Sequence, residues 1–163
     1  MATRTGSFDR TVRLAARALR QSDPRLVLRG RLARALARAQ QGRFADAERE
    51  LEPCVRLATE IGDDRLLAQV LLQAEMVASA LDRPEARQIA TEAENLLVDL
   101  GDDVRLSHLL SNSAFEAFVR GDWTDATARL DRAAAALLRC GDLDGAGTAA
   151  NNQAEILVEQ GRY

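Results

Sequence analysis

The chain has 163 residues, 47% of them hydrophobic, the length and apolar content of one folded domain, which argues against intrinsic disorder. The apolar side chains are mostly Ala and Leu, with 4% aromatic residues and 3 prolines, a bias that favours helices over a sheet. Net charge is −3, yet residues 1–40 hold ten Arg against Asp9 and Asp23, a local balance of +8 that leaves −11 for the rest.

Turn signals divide the sequence into eight predicted helices: 9–21, 25–40, 45–61, 65–80, 83–100, 104–119, 123–139 and 144–160. In the first two, Arg13, Arg17 and Arg20, and then Arg31, Arg34 and Arg38, are interleaved with Ala and Leu at helical spacing, the pattern of a solvated face. Gly42-Arg43-Phe44-Ala45-Asp46-Ala47 ends the second helix and opens the third, where Pro53 predicts a kink or a division near Glu52. Gly62-Asp63-Asp64 leads into 65–80. Leu81-Asp82-Arg83-Pro84-Glu85-Ala86 then occupies the same slot as the motif at Gly42, with Pro84 placed in the first turn of 83–100. Gly101-Asp102-Asp103 precedes 104–119, Gly121-Asp122-Trp123-Thr124-Asp125-Ala126 repeats the Gly42 motif, and Gly141-Asp142 precedes the last helix.

These markers share one period. Gly161-Arg162-Tyr163 restarts the motif 40 positions after Gly121, and Gly62, Gly101 and Gly141 stand 39 and 40 residues apart. Glycine after an Ala-rich amphipathic run supplies the left-handed residue that ends a helix, and the following Asp caps the next. Phe44, Trp123 and Tyr163 then wedge into the turn within a pair, and Ala47, Ala86 and Ala126 let the second helix close on the first. Each pair cannot bury its apolar stripe alone, so neighbours stack around one core. The predicted core is Leu14, Leu28, Leu32, Leu36, Leu51, Val55, Val70, Ala74, Val77, Ala90, Ala93, Leu97, Leu110, Ala114, Ala117, Leu130, Ala133, Leu137, Ala154 and Leu157. Residues 1–163 read as a single array of pairs at about 25–61, 65–100 and 104–139, with partial repeats at 9–21 and 144–163. Gly6-Ser7-Phe8 and Gly161-Arg162-Tyr163 mark the same point of the repeat, so the array is expected to be interrupted at both ends. Ala150, Ala154, Leu157 and Val158 of the last helix then face solvent or a second copy, a route to self-association.

The Gly-x-aromatic-x-x-Ala motif, with small residues at Ala114, Ala154 and Ala133, resembles the tetratricopeptide repeat over nearly the whole chain. The period exceeds the usual 34, the aromatic early in the first helix is absent, and Arg stands at packing positions in 25–40. The resemblance implies an all-α, right-handed α-α superhelical solenoid of antiparallel helix pairs that acts as a protein–protein interaction scaffold without a cofactor. In such arrays the first helix of each pair lines a concave groove that takes a protein or peptide. The matching positions are His108, Ser111, Asn112, Phe115 and Phe118, then Thr148, Asn151, Asn152, Glu155 and Glu159. Asn112 and Asn152, 40 apart, are placed to grip an extended peptide or to bond neighbouring helices; Phe115 and Phe118 are an apolar anchor site, with at least one of them packing in the core. The long repeats, ending in Asn151-Asn152-Gln153-Ala154-Glu155, look like arrays of actinobacterial signalling proteins that follow an ATPase module and a class III nucleotidyl cyclase or LuxR-type DNA-binding domain. That likeness implies the regulatory arm of a larger bacterial protein.

Other chemistries find little support. Cys54 and Cys140 lie 86 positions apart, and His108 is the single histidine, so neither zinc nor a disulfide framework is indicated. No apolar run approaches a membrane span or the core of a signal peptide, and a cytoplasmic setting with no membrane partner is expected. There is no phosphate-binding Gly-x-x-x-x-Gly-Lys loop and no Lys at all. His108 beside Ser107 lacks the further groups a nucleophile needs, so no enzyme is expected. Asp63-Asp64 and Asp102-Asp103 read as helix caps rather than calcium ligands. Two competing functions stand beside the scaffold: an architectural or self-association element without a separate ligand, and nucleic-acid contact through the Arg-rich first helices, which no aromatic stacking set accompanies.

Overall fold

The structure, a computed structural model, describes residues 18, 20 and 22–161. Nearly all of the predicted helix 9–21 with Leu14, the turn at Gly6-Ser7-Phe8, and Tyr163 lie outside them. The described residues form seven helices and no strand: α1 (Pro24–Gln40), α2 (Phe44–Ile61), α3 (Asp64–Ala80), α4 (Ala86–Leu100), α5 (Asp103–Val119), α6 (Trp123–Cys140) and α7 (Leu143–Glu159). The fold is all-α, as the composition and turn spacing predict. The chain divides into two compact units, Met1–Ala93 and Glu94–Tyr163, the division falling inside α4.

In the first unit α1 packs on α2, α2 on α3, and α1 also reaches α3. Asp23 caps α1 by accepting the Arg25 N–H at 2.9 Å, and Pro24, at the helix start, gives up no bond there. One spacing of i, i+4, i+7 and i+11 builds the core: Leu28, Leu32, Ala35 and Ala39 on α1 face Ala47, Leu51, Cys54 and Ala58 on α2, with Leu66, Val70 and Val77 on α3. Phe44 packs against this cluster as a wedge at the turn. Of the remaining predicted core positions, Leu36, Val55, Ala74 and Ala90 are half-buried.

Three sequence expectations are corrected here. First, of the two outcomes expected at Pro53, the division near Glu52 does not occur: α2 runs undivided from Phe44 to Ile61. Second, Arg31, Arg34 and Arg38 are not a merely solvated face. They converge on the carboxylate of Glu50, which is only 5% exposed, with Arg38 Nη1 3.0 Å and Arg31 Nη1 3.5 Å from its oxygens and Arg34 donating to Oε1. Third, the middle turn is one residue out of register. Gly42 and Gly121 adopt φ of +74° and +80°, but the left-handed residue between them is Asp82, at +52°, and not Leu81. The closing bonds confirm the match: Arg43 N–H reaches the Arg38 carbonyl, Arg83 N–H that of Ala78 and Asp122 N–H that of Ala117, each at 2.9 Å. Cys54 and Ala58 follow Gly42 by 12 and 16 positions, whereas the buried Ala93 and Leu97 follow Asp82 by only 11 and 15. The missing residue is taken up by an Arg83-Pro84-Glu85 turn, so α4 begins at Ala86 rather than 83, Pro84 precedes the helix, and Ala86 is half-buried.

In the second unit α5 packs on α6 and α6 on α7. Ala114 and Ala117 of α5, Ala126 and Leu130 of α6 and Ile156 of α7 form one cluster, against which Phe118 and Trp123 lean; Leu137, Ala146 and Ala149 form another. The Gly-Asp turns behave as predicted: Asp102, Asp122 and Asp142 accept the N–H of Arg105, Asp125 and Gly145 at 3.2, 3.2 and 2.9 Å, as Asp63 does for Leu66 at 3.2 Å. Ala154, assigned to the core from its spacing, is exposed, and Leu157 is half-buried, because no described element covers that side of α7. Among the described residues no helix is long and apolar enough to cross a membrane.

Candidate functional site

The second unit holds an open groove between α5 and α7, a cavity of about 650 Å³ with the buried Leu130 of α6 among its lining residues. Two helical stripes make its walls. Ser111, Phe115 and Phe118 come from α5 at i, i+4 and i+7, beside Ala114. Asn151, Glu155, Val158 and Glu159 come from α7 at i, i+4, i+7 and i+8, beside Asn152, Ala154 and Ile156. The groove therefore gathers Ser111, Phe115, Phe118, Asn151, Asn152, Glu155 and Glu159 of the residues singled out from sequence. It does not gather His108, Asn112 or Thr148. His108 and Asn112 are exposed on α5 outside it, and the Thr148 hydroxyl is donated to the Asp144 carbonyl at 3.0 Å.

The two phenylalanines divide as anticipated. Phe118 is half-buried against the core cluster, whereas Phe115 is 68% exposed, a large aromatic surface left to water. Beside it, Val158 and Val119 are also largely exposed. The polar rim is acidic. Asn151 Nδ2 donates to Glu155 Oε1 at 3.0 Å and steadies that carboxylate; among the described residues, neither Glu159 nor the Asn152 amide has a hydrogen-bond partner, and no cation lines the groove. Ser107 is buried and donates its hydroxyl to the Val104 carbonyl at 2.8 Å, while its neighbour His108 is exposed, so the two do not act together. Among the described residues no group of His, Cys, Asp or Glu is disposed to hold a metal ion.

Sequence reasoning missed Leu130, Ala114, Ile156 and Val158. The repeat register points to first helices alone, which passes over Leu130 on α6, and Val158 reads as part of an uncovered face although it stands three positions beyond Glu155 on the same stripe. A second cavity, about 430 Å³, lies in the first unit over Leu51, Val55, Leu71, Val77 and Ile89. Its rim is already closed by ion pairs: Arg83 grips both oxygens of Glu48 at 2.9 Å, holding that carboxyl below its ordinary range, and Arg56 meets Glu52 at 2.9 Å. The groove between α5 and α7 has no such closure, and is the better candidate.

No family model and no curated protein matches the chain. Among solved structures it is similar to BtubC (BKLC) from P. vanneervenii, whose crystal structure aligns with a TM-score of 0.71 over 98% of this chain and 76% of that one, at 18% identity. An identity that low speaks to architecture alone: the chain is an all-helical repeat protein.

Proposed function

We propose that the chain is a protein-interaction scaffold of tetratricopeptide type, in which the groove between α5 and α7 receives a segment of a partner protein. The observation that carries the reading is Phe115, 68% exposed at the mouth of a cavity of about 650 Å³ with buried Leu130 and Ile156 in its lining. An aromatic ring held out of a core that would bury it, over an apolar floor, has the character of an interface anchor. Its placement on α5 and α7, the first helices of two successive pairs, is where the resemblance puts a binding groove. The groove contains no His, Cys or Lys, so the reading is a binding module rather than an enzyme. The separate likeness of its long repeats to arrays of actinobacterial signalling proteins extends this proposal to the regulatory arm of a larger bacterial signalling protein.

Random peptides displayed on phage and panned on the chain test this. Binders should lose about tenfold or more in affinity on Phe115→Ala. They should be indifferent to Asn112→Ala, since Asn112 is exposed on the same helix outside the groove. Binders insensitive to Phe115→Ala would place recognition elsewhere and sink the assignment.

A further inference from the structure

Resting on that reading, we infer that the groove selects a cationic partner: a segment of another protein that presents one bulky apolar side chain flanked, within about a helical turn, by Arg or Lys. The unit around the groove is short of positive charge. Residues 94–163 contain 12 Asp and Glu against 6 Arg, a balance of −6. The five that lie among the described residues are already paired within the unit: Arg105 with Asp102, Arg120 with Glu116, Arg129 with Asp125, Arg132 with Glu94 and Arg139 with Asp103. Helix α7 has no cation of its own between Leu143 and Glu159. Glu155 and Glu159 therefore stand on the groove wall with no counter-charge among the described residues, one turn apart and beside the apolar floor.

That arrangement fixes the chemistry of the occupant. An apolar side chain fills the space over Leu130 between Phe115 and Val158, and a guanidinium or ammonium on its flank meets Glu155 or Glu159, while the Asn152 amide is open to the segment's backbone. A second copy docking through the same face would set these carboxylates against their own images, which disfavours a symmetric self-contact. Among residues 22–93 of the first unit, eight of the eleven arginines are paired with carboxylates of their own unit.

The test uses the full chain and three fluorescent peptides on one Ala/Gln frame: a central Leu with Arg three residues before and four after it, the same with Glu for Arg, and the Arg frame with Ala for Leu. Binding is read by anisotropy. The Leu/Arg peptide should bind about tenfold more tightly than either of the others, as two exposed charge pairs beside an apolar anchor allow. The preference over Leu/Glu should collapse in Glu155→Gln/Glu159→Gln and at high salt, while helicity by circular dichroism stays unchanged. If all three peptides fail to bind, or binding ignores Phe115→Ala, the groove reading falls and the inference with it. If the Leu peptides bind through Phe115 whatever their flanks, the groove stands and only the charge selectivity is overturned. Equal binding of the Ala/Arg frame would reduce the effect to unspecific attraction and overturn it too, as would self-association of the chain lost on Phe115→Ala.

Discussion

Ser113 shows what a single buried atom can cost. The i, i+4, i+7, i+11 ladder that is wholly apolar on α2 and α6 recurs on α3 and α5 with a polar third rung, Gln73 and Ser113, 40 positions apart. Gln73 Oε1 and Ser113 Oγ are buried without a hydrogen-bond partner. A donor or acceptor taken from water and left unmade costs about 1–3 kcal/mol, whereas a methyl of the same shape costs nothing comparable. Ser113→Ala should therefore leave stability unchanged or raise it by up to about 1 kcal/mol, read as a urea midpoint; a loss above that would mean the hydroxyl has a role in holding α5. The two thiols differ in a way that can be titrated. Cys54 is buried, donates to the Glu50 carbonyl at 3.1 Å, and is pushed up to about 11 by desolvation, while Cys140 is exposed. Because the thiolate is the reactive form, a disulfide reagent at pH 7.5–8 should label one cysteine in the folded chain and two in denaturant. Fast labelling of both would show that the α1–α2 core opens readily. Neither contrast was legible beforehand: the sequence supplies the apolar stripe, but which rung goes unpartnered depends on the neighbouring helix.

Turns carry the repeat at the scale of the element, and their one irregularity gives a prediction of each sign. Gly121 sits at φ +80° with open space where a Cβ would stand, so Gly121→Ala should cost about 1 kcal/mol through backbone strain alone. Asp82 holds the equivalent conformation at φ 52° with a side chain, so Asp82→Gly should stabilise by about 0.5–1 kcal/mol, visible as a higher Tm. Opposite results would show that the two turns are not equivalent. Among the described helices the sequence limits agree to within one residue except at α4, since Gly-Asp pairs are caps with a fixed geometry, whereas Leu81-Asp82-Arg83-Pro84 offers two candidates for the left-handed residue and a short turn selects the second. The arginines of α1 were misread for a related reason. Their spacing is that of a surface stripe, and only the burial of Glu50 on the facing helix turns the stripe inward.

Over the whole molecule, carboxylates set the acid limit and burial sets the gradient of protection. Asp46, Glu48 and Asp63 are all held below their ordinary range: Asp46 by hydrogen bonds from Arg49 and Arg43, Glu48 by Arg83, Asp63 by the Leu66 N–H and then Arg25. A folded-state value below the unfolded one gives stability that is complete above about pH 5 and is lost as pH falls through 4 and below. Urea midpoints at pH 7, 5 and 3 should be level between the first two and lower at the third; a flat profile would mean these pairs contribute nothing. Protection should be uneven as well. Helix α7 buries only Ala146, Ala149 and Ile156, and Leu143 and Val158 are exposed, so its amides should exchange sooner than those of α5 and α6. Seven of the ten groove positions proposed from sequence meet in one place because the turn glycine fixes which face of a first helix is reached. The floor was invisible, since Leu130 belongs to α6, a second helix, and its spacing marks it as core. There is also a kinetic side to the packing. Within each unit the helices that pack together are neighbours in the chain, or at most one helix apart, so loops to be closed are short and the native contacts are local. Such topologies fold fast, in microseconds to milliseconds, far quicker than a ribosome adds one residue. During synthesis α1 finds α2, and α2 finds α3, while α7, the second wall of the groove, has yet to be translated.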